Sequence, residues 1–246
     1  MTDFEIYKLS QKPALIESIN LLSRKSWPEF LLHGDVRHWS ALFDKFRDYQ
    51  LLFCDDEDTL IAVGHTVPLC WDGTNEDLPD DIDTILKRAI HDFDNKRRPT
   101  GLCALAIMVD PEYRGQGLSR KMIIEMKKLA GQHGMPHLLA PVRPTLKQAY
   151  PRVSFKKYIT WQRKDGAPFD HWIRVHWRLG AKIAKVIPRS LTVTGSIADW
   201  QKWTGHDFPS SGDYEIAGAL RPVHVDIEKD KGMYDDPNVW MVHDVG

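Results

Sequence analysis

The chain has 246 residues, of which 42% are hydrophobic, and its 33 basic and 34 acidic side chains give a formal net charge of −1. This length suits one large domain or two small ones. The balanced charge argues against nucleic acid or an anionic membrane as the main partner, because both usually bind a basic face. No signal peptide is expected from the first residues, and no apolar run reaches the ~18 residues of a membrane span.

The cysteines are three in number, Cys54, Cys70 and Cys103, and each lies in an apolar run. An odd number of thiols in such surroundings is typical of a reducing compartment and not of a disulfide framework. We therefore expect a cytoplasmic protein without disulfides.

The first hundred residues alternate between strand and helix patterns. The acidic run Asp55–Asp58 separates two apolar strands, which favours the solvated loop of a hairpin over a metal site. The predicted elements are a strand at Phe4–Leu9, helices at Pro13–Phe30 and Val36–Tyr49, strands at Leu51–Cys54 and Thr59–Leu69, and a helix at Ile82–Phe93.

The middle of the chain carries its strongest pattern. Leu102–Val109 is apolar at every position, which predicts a strand covered on both faces and central in its sheet. Leu118–Ala130 repeats apolar residues at helical spacing and predicts an amphipathic helix. A strand at His137–Val142 and a short helix at Thr145–Tyr150 are predicted to follow.

The remainder is rich in tryptophan, with six of the nine beyond residue 160. We divide the chain into a core at 1–160 and an extension at 161–246, which either completes the same domain or forms a separate lobe. The tryptophans are core residues or line an acceptor pocket. The runs Pro188–Ser190 and Pro237–Trp240 resemble turns that enter strands. The predicted elements are helices at Asp170–Leu179 and Ala198–Trp203 and strands at Lys182–Val186, Leu191–Thr194, Val223–Glu228 and Val239–His243.

A glycine-rich junction follows the central strand, in the sequence Val109-Asp110-Pro111-Glu112-Tyr113-Arg114-Gly115-Gln116-Gly117-Leu118-Ser119. Its order is strand, tight loop, helix. Two glycines around one residue allow the backbone to turn sharply without a Cβ penalty. The loop amides, together with the open first turn of the helix, form a socket for a phosphate or pyrophosphate.

This junction resembles the acyl-CoA-binding motif of the GNAT superfamily of N-acyltransferases, Gln/Arg-x-x-Gly-x-Gly/Ala. Gly115 and Gly117 set the register, which leaves Glu112 or Arg114 as the variable position. The resemblance is strong from Leu102 to Phe155 and faint beyond Tyr158. It implies an α/β (α+β) fold with a mixed, mostly antiparallel central sheet flanked by helices, here with an elaborated C-terminal portion.

The resemblance also implies a binding mode for acetyl-CoA or another acyl-CoA as co-substrate. Backbone groups of Met108 and Val109 would pair with the pantetheine arm, and the central strand would diverge from His137–Val142 to admit the thioester. Arg120 would reach the 3′-phosphate, or is a solvated helix charge. The amides that would hold the pyrophosphate belong to Arg114, Gly115, Gln116, Gly117, Leu118 and Ser119.

In such enzymes an amine attacks the thioester directly, and many members carry Asn-x-x-Ala-x-x-x-Tyr-x-x-x-Gly-Phe with the Tyr as the acid for the thiolate. Tyr150 and Phe155 match this pattern. Arg143, Leu146 and Ser154 depart from it. Tyr150 is thus the candidate acid, with a structural tyrosine as the alternative.

The residue that removes the amine proton is less clear from the sequence. His65, on a predicted strand beside the core, is the candidate base. Asp110 is interpreted as a loop carboxylate. No ligand spacing resembles a zinc site, so no metal is expected.

The leading hypothesis is an acyl-CoA-dependent N-acetyltransferase that acts on a small-molecule amine. The alternatives are a non-catalytic acyl-CoA-binding module and a protein or peptide N-acetyltransferase. Dinucleotide binding is disfavoured, because Gly115-Gln116-Gly117 lacks the third glycine of that fingerprint. A homodimer is an open possibility for the aromatic C-terminal part.

Overall fold

A computed structural model describes residues 4–246 of the chain. Its strands form one nine-stranded sheet in the order β1-β2-β3-β4-β5-β9-β8-β7, and β6 pairs with the other edge of β9. Among the described strands, β4 and β5 form the one parallel pair, and the remaining pairs are antiparallel. The predicted mixed, mostly antiparallel sheet flanked by helices is confirmed.

The strands and helices are bounded as follows. The strands are β1 Glu5–Lys8, β2 Gln50–Cys54, β3 Leu60–Leu69, β4 Gly101–Val109, β5 His137–Val142, β6 Lys182–Gly195, β7 Gly212–Tyr214, β8 Val223–Asp226 and β9 Lys231–Asp244. The helices are α1 Ile16–Ser26, α2 Ile82–Asp94, α3 Leu118–Gln132, α4 Phe155–Tyr158, α5 His171–Arg178 and α6 Ile197–Thr204. No helix within residues 4–246 is long and apolar enough to cross a membrane.

Two main hydrophobic clusters lie on opposite faces of the sheet. One, which we call the α3-side cluster, joins β4 and β5 to α3 and α5 through residues such as Met122, Met126 and Ile173. The other, the α2-side cluster, joins the opposite face of the same strands to α2 through Ile85 and Leu86. The central strands are therefore covered on both sides, as their continuous apolar sequence predicts.

The C-terminal portion continues the sheet of the N-terminal portion. β9 pairs with β5 from Val239 to Asp244 and with β8 near its start, while β6 runs along its other edge. The two strands predicted on either side of Pro188 are confirmed, but they are joined into the single strand β6. The ladder skips from Ile187 to Leu191, so the intervening residues loop out of a continuous strand.

The prediction of a turn at Pro237–Trp240 is also wrong, because this run lies inside β9. Pro237 stands opposite the residues that loop out of β6. Its missing N–H therefore costs no ladder hydrogen bond, and the strand can pass through the proline.

The helix predicted at Val36–Tyr49 is wrong, since the segment contains only short 3-10 turns at Trp39–Leu42 and Arg47–Tyr49. The start of the segment is fixed by the Asp83 carboxylate, which accepts hydrogen bonds from the Arg37 backbone N–H and from His38 Nδ1. These tertiary contacts override the local helical spacing.

The helix predicted at Thr145–Tyr150 is only a 3-10 turn at Lys147–Ala149. Asp170, the N-cap of α5, accepts hydrogen bonds from the N–H groups of Thr145 and Leu146 at the start of this segment. At the other end, the carbonyls of Tyr150 and Pro151 accept hydrogen bonds from the Lys147 ammonium. The backbone groups that a helix would use are thus committed elsewhere.

Lys147 connects this turn to the C-terminal portion. Its side chain is buried, and its Nζ donates to the carbonyls of Tyr150 at 2.7 Å, Pro151 at 3.3 Å and Leu220 at 2.6 Å. Burial, and next the nearby Arg221 charge, lowers the Lys147 pKa to about 8. The ammonium is still mostly charged at neutral pH, and its three donors are matched by three acceptors.

Replacing Lys147 by Met should destabilise the fold by roughly 2–4 kcal/mol, because buried carbonyls lose their donors. The free energy of unfolding from urea titration measures this. Lys156→Met, an exposed lysine on α4, is the matched control and should change stability by less than about 0.5 kcal/mol. Equal stability of the two variants would contradict a structural role for the Lys147 ammonium.

Candidate functional site

A slot opens where β4 and β5 separate. The two strands pair only at Gly101–His137, Leu102–Leu138 and Cys103–Leu139, although β4 continues to Val109 and β5 to Val142. Beyond the last pair, the β4 backbone has no partner strand on this side among residues 4–246. Such an edge can hydrogen-bond an extended ligand as if it were an added strand.

A β-bulge lies in β4 where the slot begins. Thr66 of β3 pairs with Ala104 and His65 pairs with Ala106, so Leu105 is an extra residue in β4. A bulge bends its strand and increases the local twist. It thereby directs the end of β4 away from β5.

The loop after β4 exposes backbone amides at the end of this slot. Gly115 and Gly117 have φ values of 81° and 77°, the left-handed region that favours glycine. Gly117 is the N-cap of α3, and no side chain caps the helix there. The first turn of α3 therefore presents N–H groups without intrahelical partners and the positive end of its dipole.

The surface above both glycines is open. A Cβ built on either Gly115 or Gly117 would meet nothing within 4 Å. A ligand of the size of a phosphate can therefore approach the backbone directly.

The predicted binding residues lie along this path. Met108 is buried and its Sδ accepts a hydrogen bond from Trp27 Nε1 at 3.2 Å, so its side chain faces α1. The Val109 carbonyl accepts from Arg114 Nε at 3.4 Å, which places a cation beside the loop. Ser119 and Arg120 belong to the first turn of α3, and Arg120 is exposed.

Asp110 is a structural part of the loop, as predicted. Its carboxylate accepts from the Glu112 N–H and pairs with Lys25 Nζ at 3.0 Å. Partial burial by itself would raise the Asp110 pKa, but these two interactions outweigh it and lower the pKa below its usual range. The group therefore carries a charge that holds the turn.

His65 lies on the face of the sheet opposite α3, where Trp39 and Phe43 pack edge-on against its ring. Its Nδ1 lies 2.9 Å from Gln50 Oε1. The Gln50 amide is oriented by two carbonyls, those of Phe46 and Thr66, to which its Nε2 donates. Gln50 Oε1 must therefore be the acceptor, which assigns the proton to Nδ1 and leaves Nε2 of His65 with a lone pair.

Burial lowers the pKa of His65 to about 4. The imidazole is consequently neutral at pH 7.

Tyr150 lies outside the helix that the sequence predicted for it. It caps the 3-10 turn, and its ring, 37% exposed, packs with Tyr158, Trp161 and Phe169. This aromatic packing agrees with the alternative given in the sequence analysis, in which Tyr150 is a structural tyrosine. Whether the hydroxyl also serves as an acid stays a prediction.

A second polar group lies on β9, and sequence reasoning missed it. Asp236 is buried and accepts from Arg143 Nε at 3.0 and 2.9 Å and from the Tyr234 hydroxyl at 2.5 Å. Two residues on, Asn238 Nδ2 donates to Ser190 Oγ at 3.0 Å. A signal for this group was present in the sequence. Asp236 and Asn238 stand at alternate positions just before the apolar run Val239–Val242, and alternate residues of a strand lie on the same face.

The acetyltransferase (GNAT) family model matches residues 16–151, more than half of the chain. The chain belongs to the GNAT family. The arginine N-acetyltransferase avaD of Aspergillus versicolor is 31% identical to it over 249 residues, with 89% of this chain and 85% of that protein covered. The predicted enzyme class, a GNAT-type N-acetyltransferase, is confirmed, which disfavours the non-catalytic alternative.

Solved structures agree on the fold. The loading GNATL domain of CurA from Lyngbya majuscula has a TM-score of 0.63 at 15% identity and covers 100% of this chain and 98% of that chain. The GphF GNAT-like decarboxylase in complex with isobutyryl-CoA has a TM-score of 0.62 at 14% identity, with 99% and 100% covered. At these identities the likeness supports the GNAT fold alone.

The GNAT loop generates a charge-specific prediction. Gly117→Asp should weaken acetyl-CoA binding at least about 10-fold relative to Gly117→Asn, because the carboxylate repels the pyrophosphate while both side chains tolerate the left-handed conformation. Calorimetric titration of both variants measures this. Similar affinities for the two would mean that the loop does not contact phosphate.

The His65 pKa generates a pH dependence of stability. Because the folded-state pKa lies below the ordinary 6.5, the unfolded chain takes up a proton first as the pH falls. The contribution of neutral His65 to the free energy of unfolding is therefore complete above pH 6.5 and declines as the pH falls toward 4. Between pH 7.5 and 5.0 the loss due to His65 should be about 2 kcal/mol.

Urea titrations of the wild type and His65→Gln at both pH values isolate this contribution. The glutamine can still donate to Gln50 Oε1 but does not titrate. The loss of unfolding free energy between pH 7.5 and 5.0 should therefore be about 2 kcal/mol smaller in the variant than in the wild type. An unchanged difference would show that His65 titrates alike in the folded and unfolded chains.

Proposed function

We propose that this enzyme transfers the acetyl group of acetyl-CoA to an amine of a small molecule, with arginine as the first acceptor to test. The observation that carries the proposal is the slot between β4 and β5, which ends at the uncapped amides of Gly117 and α3. The choice of arginine rests on avaD, whose 31% identity extends over most of this chain.

In the proposed complex the pyrophosphate lies on the amides from Gly115 to Ser119, since the Arg114 N–H already donates to the Pro111 carbonyl at 3.4 Å. The exposed surface over both glycines supports this placement. Arg120, in the first turn of α3, is our candidate for binding the 3′-phosphate.

The pantetheine arm pairs with the free edge of β4 at Val109. The Asp110 N–H donates to the Ile61 carbonyl, and the alternation along the strand directs the backbone groups of Met108 toward β3 in the same way. The acetyl group then lies deeper in the slot, near the bulge at Leu105.

The reaction needs a neutral amine, and His65 is our candidate for the group that receives its proton. The fixed orientation of Gln50 leaves the Nε2 lone pair of His65 available. Burial keeps the imidazole neutral at pH 7, so that Nε2 can accept a proton. Tyr150 is our candidate for the acid that protonates the departing thiolate.

The test is a kinetic screen of arginine, agmatine, ornithine and lysine with acetyl-CoA, following thiol release and product mass. We expect acetyl transfer to at least one of them. Tyr150→Phe should lower kcat by about 100-fold if the hydroxyl supplies the proton. Tyr214→Phe, whose hydroxyl bonds the Ser210 carbonyl in the C-terminal portion, is the matched control.

Two results would contradict parts of this proposal. Transfer to none of these amines by an enzyme that binds acetyl-CoA would overturn the proposed acceptor class. Full activity of Tyr150→Phe would restrict that residue to its aromatic packing.

A further inference from the structure

Arg143 directly follows β5 and has more hydrogen-bond donors than its partners in the protein accept. Its Nε donates to both carboxylate oxygens of Asp236 at 3.0 and 2.9 Å, and its Nη2 donates to the Gly218 carbonyl at 2.7 Å. A guanidinium has five N–H groups. Even with the Tyr234 hydroxyl as a further neighbour, at least two of them have no acceptor among residues 4–246.

The unused end of this guanidinium is accessible, and its orientation is fixed. The Arg143 side chain is 17% exposed, and none of its nitrogens is among the buried polar atoms without a partner. Asp236 is buried and also accepts a hydrogen bond from the Tyr234 hydroxyl at 2.5 Å. The Nε edge of Arg143 is therefore committed to a buried carboxylate, which leaves the Nη1 side for a ligand.

The packing of α1 shows on which face of the sheet the segment after it lies. Val63 and Met108 pack in one cluster with α1, whereas the adjacent Ala62 and Val109 pack in the α3-side cluster. Neighbouring residues of a strand point to opposite faces. α1 and the segment that follows it therefore lie on the face opposite α3.

The Asp236 group lies on this same face. The ring of Phe30, in the segment after α1, packs edge-on against the ring of Tyr234 with the centroids 5.3 Å apart. Tyr234 and Asp236 stand at alternate positions of β9 and so share a face. The guanidinium of Arg143, which bonds to Asp236, is thus on the side opposite α3.

The segment after α1 connects the ends of the two strands that form the slot. At the end of β4, Met108 Sδ accepts a hydrogen bond from Trp27 Nε1 at 3.2 Å. On the side of β5, Pro28 packs closely against Gly218, where a built Cβ would lie 2.6 Å from Pro28 Cγ. The Gly218 carbonyl in turn bonds to Arg143. Arg143 therefore lies at the mouth of the slot, beneath a segment that reaches both of its walls.

We propose that the free N–H groups of Arg143 bind a carbonyl or carboxylate oxygen of the acceptor, so that the enzyme prefers amines that carry such an oxygen. This inference rests on the proposed acetyl transfer and names the substrate class of that site. In the proposed complex the pyrophosphate lies at the start of α3, whereas His65 lies on the face opposite α3. An acceptor that enters the slot from the face of His65 therefore passes Arg143.

The chemistry of the ion pair explains why either oxygen fits. A guanidinium only donates hydrogen bonds, and its planar fork matches the lone pairs of carbonyl and carboxylate oxygens. Because Asp236 balances the charge of Arg143, a neutral carbonyl can bind without leaving an uncompensated cation. Because Asp236 also orients the fork, little conformational entropy is lost on binding. An amine without this oxygen gains none of these contacts and should bind more weakly.

The test compares an amino acid acceptor with its α-carboxamide and with its decarboxylated counterpart, which for arginine are argininamide and agmatine. In the wild type, kcat/KM should be at least about 10-fold higher for the acid, the amide or both than for the decarboxylated amine. A higher value for the acid would identify a carboxylate as the ligand of Arg143, and equal values for acid and amide would identify a neutral carbonyl. Either result supports the proposal.

Arg143→Lys keeps a cation beside Asp236 but offers no fork of donors, so the preference should fall to within about 2-fold. The Kd for acetyl-CoA should stay within about 2-fold of the wild-type value. Arg143→Met combined with Asp236→Asn removes both buried charges together and should also abolish the preference, for the case that the lysine variant does not fold. Arg88→Lys is the matched control, because Arg88 of α2 bonds in the same manner to Asp77, and it should retain the preference.

The outcomes separate the two proposals. A wild type that binds acetyl-CoA but acetylates no amine overturns the proposed function and this inference with it. An active wild type without the preference, or a preference that persists in the Arg143 variants, overturns this inference alone. An equal loss for all three acceptors would assign Arg143 a structural role and would also reject it. Weaker acetyl-CoA binding with an unchanged preference would assign the free N–H groups to the cofactor, with the same consequence.

Discussion

The separation of β4 and β5 after three paired residues is the constraint on which the rest of the molecule depends. Parallel strands in a sheet normally remain paired, since each unpaired buried amide or carbonyl costs free energy. Here Leu105 adds a bulge to β4, and the two strands diverge while their outer edges stay paired with β3 and β9. The exposed edge is thus built into a rigid sheet, which suits a site that must receive an extended ligand.

The two faces of the sheet have different chemistry around this opening. On the α3 side the clusters are apolar, and the polar contribution comes from backbone amides at the start of α3. On the opposite face, buried polar side chains lie on both flanks, with the pair formed by Gln50 and His65 on one and the pair formed by Ser190 and Asn238 on the other. Backbone donors at a helix start suit an anionic group, whereas the buried side chains of the other face hydrogen-bond one another.

The C-terminal portion is part of this arrangement through specific polar contacts. Arg143, directly after β5, bonds to Asp236 of β9 and to the Gly218 carbonyl. Lys147 reaches the Leu220 carbonyl. Because both residues follow the diverging end of β5, these contacts hold its position relative to β9. The end of β5 is therefore held in place by residues far apart in the chain.

The strand, glycine loop and helix from β4 to α3 could be predicted because their information is local. The apolar run of β4, the glycines at 115 and 117 and the amphipathic pattern of α3 are contiguous, and each acts through backbone conformation or helical periodicity. The predictions that were wrong concern segments whose structure depends on distant partners. Arg37 and His38 bond to Asp83, and these contacts replace the helix that the spacing indicates with 3-10 turns.

By itself the sequence therefore predicted the family, the mixed sheet it implies and the glycine loop, since strand, loop and helix follow one another without interruption. Only the tertiary structure decided which buried polar side chains meet. Asn238 was predicted as a turn residue after Pro237, and its hydrogen bonds depend on Pro141 and Ser190, which lie in other strands. Burial and hydrogen-bond satisfaction are properties of contacts, and the register of a β-sheet sets those contacts across tens of residues.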